Sequence, residues 1–257
     1  MTFTHLLVLD MNGLLVDRCR APYVNPDGSE IPPDRRFGKF FIYNRPHMAE
    51  FVKWAFDHFT VAVWSSAMGH NVKDLVEHIF GPLKHRLAFV WDQSNCTEVG
   101  SMADGKPIFL KVLAKVWELP GYARFGPSNT LLVDDSPYKV VRNPKFTALH
   151  PAEYQLSVPE VDGVLGNEGA LREYLTKLAA EPTVPRFLKD TPWGEHGVEA
   201  LPSPEEVIHI AKTGIQVAPA GGRQGGGPRG RCGRGGGRGR GRGPSLTDAF
   251  RGMGLQQ

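Results

Sequence analysis

Short unbroken apolar runs, each closed by a polar residue, alternate along the chain with stretches whose apolar positions recur at helical spacing. Leu6-Leu7-Val8-Leu9 ends in Asp10, as expected of a strand buried on both faces. Met48, Phe51, Val52, Ala55, Phe56 and Phe59 then follow Pro46, a residue suited to a first helical turn, and mark one apolar helix face. Val61-Ala62-Val63-Trp64 is the next strand, closed by Ser65-Ser66. Val72, Leu75, Val76, Ile79 and Phe80 predict a second helix, and Leu87 to Trp91 a strand. Val112, Leu113, Val116 and Trp117 predict a third helix. Leu131-Leu132-Val133 is a strand ending in Asp134-Asp135, Phe146 to Leu149 the last strand, and Leu171, Tyr174, Leu175 and Leu178 a closing helix. Alternation of this kind predicts an α/β fold, a Rossmann-like parallel sheet with helices on both faces.

Residues 18–45 interrupt the alternation. They are rich in Pro, Gly and charge, contain the turn signal Asn25-Pro26-Asp27-Gly28, and alternate weakly from Phe37 to Tyr43. They are read as a hairpin-like flap inserted after the first strand. Ser203-Pro204-Glu205-Glu206 supplies an N-cap and a capping-box Glu for a short helix near 204–212. From Pro219 to Pro244 the chain is almost entirely Gly and Arg, too poor in apolar groups to offset its chain entropy. The expected organisation is a domain over 1–180, an extension and linker with a short helix over 181–218, and a disordered Arg/Gly-rich tail over 219–257.

Charge sharpens this division. Of the 257 residues, those from 219 onward hold eight Arg and one acid, Asp248, or about +7. Residues 1–218 carry 22 basic and 26 acidic side chains, or −4. An apolar fraction of 41% suffices for a core. Cys19, Cys96 and Cys232 are widely spaced, which argues against a disulfide framework or a zinc site and suits a reducing compartment. No stretch reaches the roughly 18 apolar residues of a membrane span, and the first strand begins too early for a targeting peptide. The expected location is nuclear or cytoplasmic.

In a doubly wound sheet the carboxyl ends of the strands share one edge, where ligands bind. Asp10, Asp134 and Asp135 all follow strands, so three carboxylates converge there into a hard-oxygen site suited to Mg²⁺. Ser65 ends an intervening strand and can hydrogen-bond an anion. Lys111, at the opening of a predicted helix, can neutralise one.

The order Asp, Ser after a strand, Lys, then Asp-Asp after a strand resembles the haloacid dehalogenase superfamily. It is most similar to the branch of RNA polymerase II C-terminal-domain phosphatases and small C-terminal-domain phosphatases. The matching residues are Leu7-Val8-Leu9-Asp10-Met11-Asn12-Gly13-Leu14-Leu15-Val16, Arg45-Pro46-His47, Trp64-Ser65-Ser66-Ala67, Phe109-Leu110-Lys111 and Val133-Asp134-Asp135-Ser136-Pro137. The resemblance covers roughly residues 5–155. It implies the haloacid dehalogenase fold and a two-step mechanism in which Asp10 becomes an aspartyl phosphate. It also implies Mg²⁺ held by Asp10, the backbone carbonyl of Asn12 and Asp135, phosphoryl oxygens met by Lys111 and Ser65, and Asp134 holding Lys111 in place. A phosphorylated protein is the implied substrate or partner.

One position departs from the pattern. The family places a carboxylate two residues after the nucleophile, to protonate the leaving group and then activate water. Here that residue is Asn12, an amide that is neither acid nor base near neutral pH. Position 14, usually Thr or Val, is Leu14. Three readings follow: a phosphoserine or phosphothreonine phosphatase weakened by Asn12, a pseudophosphatase that holds phosphorylated partners, and an RNA-associated protein. The last rests on Arg223, Arg229, Arg231, Arg234, Arg238, Arg240 and Arg242, which resemble the Arg-Gly repeats of RNA-binding tails. An acidic protein ligand and a solubilising linker remain the tail's alternatives. Cys96 is read as a buried small hydrophobe, and His5, His47, His70 and His150 show no metal spacing.

Overall fold

The computed structural model describes residues 3–101, 105–156 and 162–193. β1 (Leu6–Leu9) takes the middle of a five-stranded parallel sheet, where all four of its side chains are buried. β5 (Thr60–Trp64) and β6 (Val90–Trp91) extend the sheet on one side of β1, and β9 (Thr130–Val133) and β10 (Ala148–Leu149) on the other. Strand alternation sends Leu7, Leu9, Val61, Val63, Leu131 and Val133 to one face. There they meet α1 (Met48–His58), α2 (Gly69–Phe80), α4 (Ala170–Ala179) and α5 (Val184–Asp190) through Phe51, Val72, Leu175 and Phe187. Leu6, Val8, Ala62, Trp64 and Leu132 face the other way, toward Leu113 and Val116 around α3 (Ala114–Trp117) and toward Phe125. The expected α/β architecture with helices on both faces is the one observed.

The flap is more than a hairpin. β3 (Arg35–Phe37) and β4 (Phe40–Asn44) form the hairpin, turning at Gly38, whose φ of 54° is left-handed, and Lys39. β2 (Val16–Cys19) adds to the outer side of β4, giving an antiparallel sheet in the order β2-β4-β3. Ile42 of this small sheet enters the main core, while Cys19, Tyr23 and Tyr43 make a separate cluster of their own.

Other elements depart from the periodicity. The third helix is α-helical only over Ala114–Trp117. The strand expected over 87–91 narrows to Val90–Trp91, preceded by a 3₁₀ helix over Gly81–Arg86. β7 (Thr97–Ser101) and β8 (Pro107–Leu110) pair as a two-stranded antiparallel sheet that the pattern did not reveal, with an irregularity between Glu98 and Gly100. Lys111 therefore ends a strand; it does not open a helix. The extension expected over 181–218 begins with α5, whose Val184, Phe187 and Leu188 belong to the main core. The helix expected near 204–212 and the Arg/Gly tail, with all its arginines, lie outside the described residues. No helix among the described residues is long and apolar enough to cross a membrane.

Candidate active site

Parallel register brings the chemistry together. Leu9 is level with Val63 and with Val133, and the Asp10 N–H donates to the Val133 carbonyl at 2.9 Å. Asp10, Ser65, Asp134 and Asp135 therefore leave the sheet at one edge. The chain runs from β1 outward through β5 and β6 and returns to β9 on the opposite side, so the site flanks the point where strand order reverses.

Asp10, Asp134 and Asp135 are all buried, and each offers an oxygen within 4.8 Å of the others. The Lys111 ammonium lies 3.0 Å from Asp10 Oδ2 and 2.5 Å from Asp134 Oδ2. A second ammonium, that of Lys139, lies 2.8 Å from Asp10 Oδ2, 2.9 Å from Asp134 Oδ1 and 3.7 Å from Asp135 Oδ1. Burial alone would raise the pKa of Asp134, but Lys111 and Lys139 hold it well below the usual carboxylate range. Asp135 has no such clamp. Burial pushes it up to about 8, with Asp134, Asp10 and Glu153 adding to the rise and Lys139 opposing it. Burial works against the charge of Lys139, yet Asp10, Asp134 and Asp135 keep its pKa well above the ordinary value.

Asp135 Oδ1 is buried without a hydrogen-bond partner. An under-coordinated carboxylate oxygen beside two further carboxylates is a donor set that a hard divalent cation such as Mg²⁺ accepts. The residues present fit that ion. Gly13 shapes the same pocket: its φ is 82°, and a Cβ there would sit 2.7 Å from Asp135 Oδ2. Only glycine lets the loop after β1 pass so close to the carboxylate.

Asn12 does not point a free acceptor at the site. Its Oδ1 accepts the Arg18 N–H at 2.8 Å, which ties the loop after β1 to the flap strand β2. Ser65 is buried at the end of β5, its Oγ accepting the Ala67 N–H at 3.2 Å. Arg45, also buried, donates to the Leu14 carbonyl at 3.1 Å and pairs with Asp162 at 2.8 Å, so it fastens the loop between β1 and β2 to the chain near α4. Cys96 packs within the second core cluster, and burial raises its thiol pKa, as expected of a small hydrophobe. His150 is buried after β10, where its Nδ1–H donates to the Asp134 carbonyl at 2.8 Å.

Lys139 is the residue that the sequence pattern missed. Pro137 starts a 3₁₀ turn over Pro137–Val140 directly after the paired aspartates. A single helical turn returns residue i+4 to the side of residue i, which carries Lys139 back over Asp135. The same turn fixes Lys111, whose N–H donates to the Lys139 carbonyl at 2.7 Å.

Residues 5–185 match the family of NLI interacting factor-like phosphatases. An uncharacterized FCP1 homology domain-containing protein of Schizosaccharomyces pombe is 31% identical over 146 residues, which make up 54% of this chain and 57% of that protein. The chain thus spans little more than half of this relative. The fission yeast RNA polymerase II CTD phosphatase Fcp1, solved bound to beryllium fluoride, aligns at 12% identity with a TM-score of 0.43, over 82% of this chain and 62% of that one. A further structure of Fcp1, described as an essential RNA polymerase II CTD phosphatase, aligns at 14% identity with a TM-score of 0.42, over the same shares.

Proposed function

This chain belongs to the NLI interacting factor-like phosphatase family, and on that premise we propose that it engages phosphoserine or phosphothreonine in partner proteins and turns over slowly. In this reading a carboxylate oxygen of Asp10 attacks phosphorus, the bond to the serine or threonine oxygen breaks, and an aspartyl phosphate forms. Water then attacks that phosphate, releasing inorganic phosphate and restoring the carboxylate. Lys111 and the Ser65 hydroxyl meet phosphoryl oxygens, and Asp134 positions Lys111. Mg²⁺, held by Asp10, Asp135 and the carbonyl of Asn12, would supply further neutralisation of the phosphoryl charge.

The observation that carries the reading is the pairing of buried Asp10 and Asp134 with Lys111, at 3.0 and 2.5 Å, beside an Asp135 oxygen without a hydrogen-bond partner. Slowness follows from Asn12. Its amide can neither give the departing oxygen a proton nor take one from water, and its oxygen is engaged by Arg18. A site that binds phosphate but releases it slowly also serves as a phosphoprotein-binding module, and Asn12 favours that second role. The tail's Arg-Gly composition supports a further contact with RNA.

Steady-state hydrolysis of p-nitrophenyl phosphate and of a phosphopeptide in Mg²⁺ tests the proposal, with Asp10→Asn as the blank. We expect a slow rate that disappears in the variant. Hydrolysis retained in Asp10→Asn would rule out the aspartyl phosphate.

A further inference from the structure

Two lysines serve the carboxylate pocket, and their positions differ. Lys111 is fully buried and reaches two of the three carboxylates. Lys139 reaches all three, at 2.8, 2.9 and 3.7 Å, and so occupies the place where their oxygens converge. A divalent cation bound by Asp10 and Asp135 would share carboxylates that this ammonium already contacts. At such separations an ammonium and a divalent cation repel, whether or not they share an oxygen. With both lysines charged and all three carboxylates ionised, the pocket carries −1; without the Lys139 charge it carries −2.

We propose that Lys139 is an internal counter-ion that competes with the divalent cation for the carboxylates of Asp10, Asp134 and Asp135, so that metal entry requires its ammonium to withdraw. The inference rests on the metal reading given above. Its consequence is a metal affinity set by a residue that is not itself a ligand. A merely structural lysine gives the opposite result, because carboxylates left to repel one another would spread and bind metal less well.

The test compares full-length wild type, Lys139→Gln and Asp135→Ala by calorimetric titration with Mg²⁺ alone and by melting temperature with and without Mg²⁺. Lys139→Gln should melt lower without metal, show a larger Mg²⁺-induced rise, and bind Mg²⁺ at least about ten-fold more tightly. Affinity that is equal or weaker overturns the proposal. Wild type provides a second measurement that needs no variant. Acetylation of the folded protein, read residue by residue by mass spectrometry, should increase at Lys139 when Mg²⁺ is added and stay constant at the half-buried Lys84. Unchanged or reduced labelling of Lys139 refutes the competition whatever the variants do. Mg²⁺ binding of equal strength to wild type and Lys139→Gln removes the role of Lys139 alone. No Mg²⁺ response in any of the three proteins removes the metal site together with it.

Discussion

Two polar residues beside the carboxylate cluster, half-buried Asn12 and buried His150, make separate demands. Asn12 carries the shape of an aspartate without its proton chemistry, so Asn12→Asp should accelerate hydrolysis by on the order of ten-fold or more, within the range of general acid–base catalysis. The gain should vanish when Asp10→Asn is added. Rates of Asn12→Asp no higher than wild type, measured with the same phosphopeptide, would place the limitation elsewhere, Leu14 and the flap being nearest. His150 acts on stability. Burial, the dominant influence, lowers its pKa below 6.5, against a weaker upward pull from the Asp134 carbonyl and carboxylate. The unfolded chain therefore takes up a proton that the folded protein refuses. The stability His150 contributes is present above about pH 6.5 and is lost as pH falls, by up to about 1.4 kcal/mol per pH unit for one proton. Urea midpoints between about pH 7 and pH 5 should fall in wild type and fall less steeply in His150→Asn. His5 and His78, also lowered by burial, leave part of the slope in place.

Among the elements, those that carry the site were the most legible. β1, β5 and β9 are short apolar runs closed by polar residues, and burial on both faces leaves little else such a run can be. The sheet edge shared by Asp10, Ser65, Asp134 and Asp135 was therefore legible in the pattern. Lys139 was not, because the signal is a proline-started turn acting over four residues, with no hydrophobic periodicity behind it. β7 escaped for a related reason: Thr97-Glu98-Val99-Gly100-Ser101 has one apolar residue, and its strand character comes from pairing with β8. Helix α5 has only seven residues, too few to display a period, yet it closes the core. Phe187 packs against Tyr174 with ring centroids 5.0 Å apart. Phe187→Ala should cost about 3 kcal/mol in urea unfolding, and a loss of only a few tenths would mean that α5 is dispensable. The loop after β1 has a different sensitivity. Gly13→Ala must adopt a left-handed backbone at about 1–2 kcal/mol and press its Cβ on Asp135. It should therefore lower the melting temperature and abolish the Mg²⁺-induced rise together.

At the scale of the whole molecule, charge is divided in a way that the fold does not require. Residues 1–218 carry −4, and the segment from 219 carries about +7. The chain up to residue 218 is therefore mildly acidic in sequence, while the cationic segment has glycine between its charges and only Asp248 to offset them. Arginine offers forked donors to phosphate and a plane that stacks on bases, so the proposed RNA contact predicts single-strand binding through this segment. Such binding releases counterions, and for single strands the affinity falls with salt at about 0.7 logarithmic units per phosphate neutralised. Replacing Arg223, Arg229, Arg231, Arg234, Arg238, Arg240 and Arg242 by Ser in the full-length chain should remove most affinity for an unstructured RNA at low salt. It should flatten the salt dependence in proportion and leave hydrolysis by the Asp10 site unchanged. Fluorescence anisotropy with a labelled oligouridine, repeated across a salt series, measures both quantities. Equal affinity and equal slope in the two proteins would assign the RNA contact to another surface or to none, and the tail's cations would then be matched to an acidic protein.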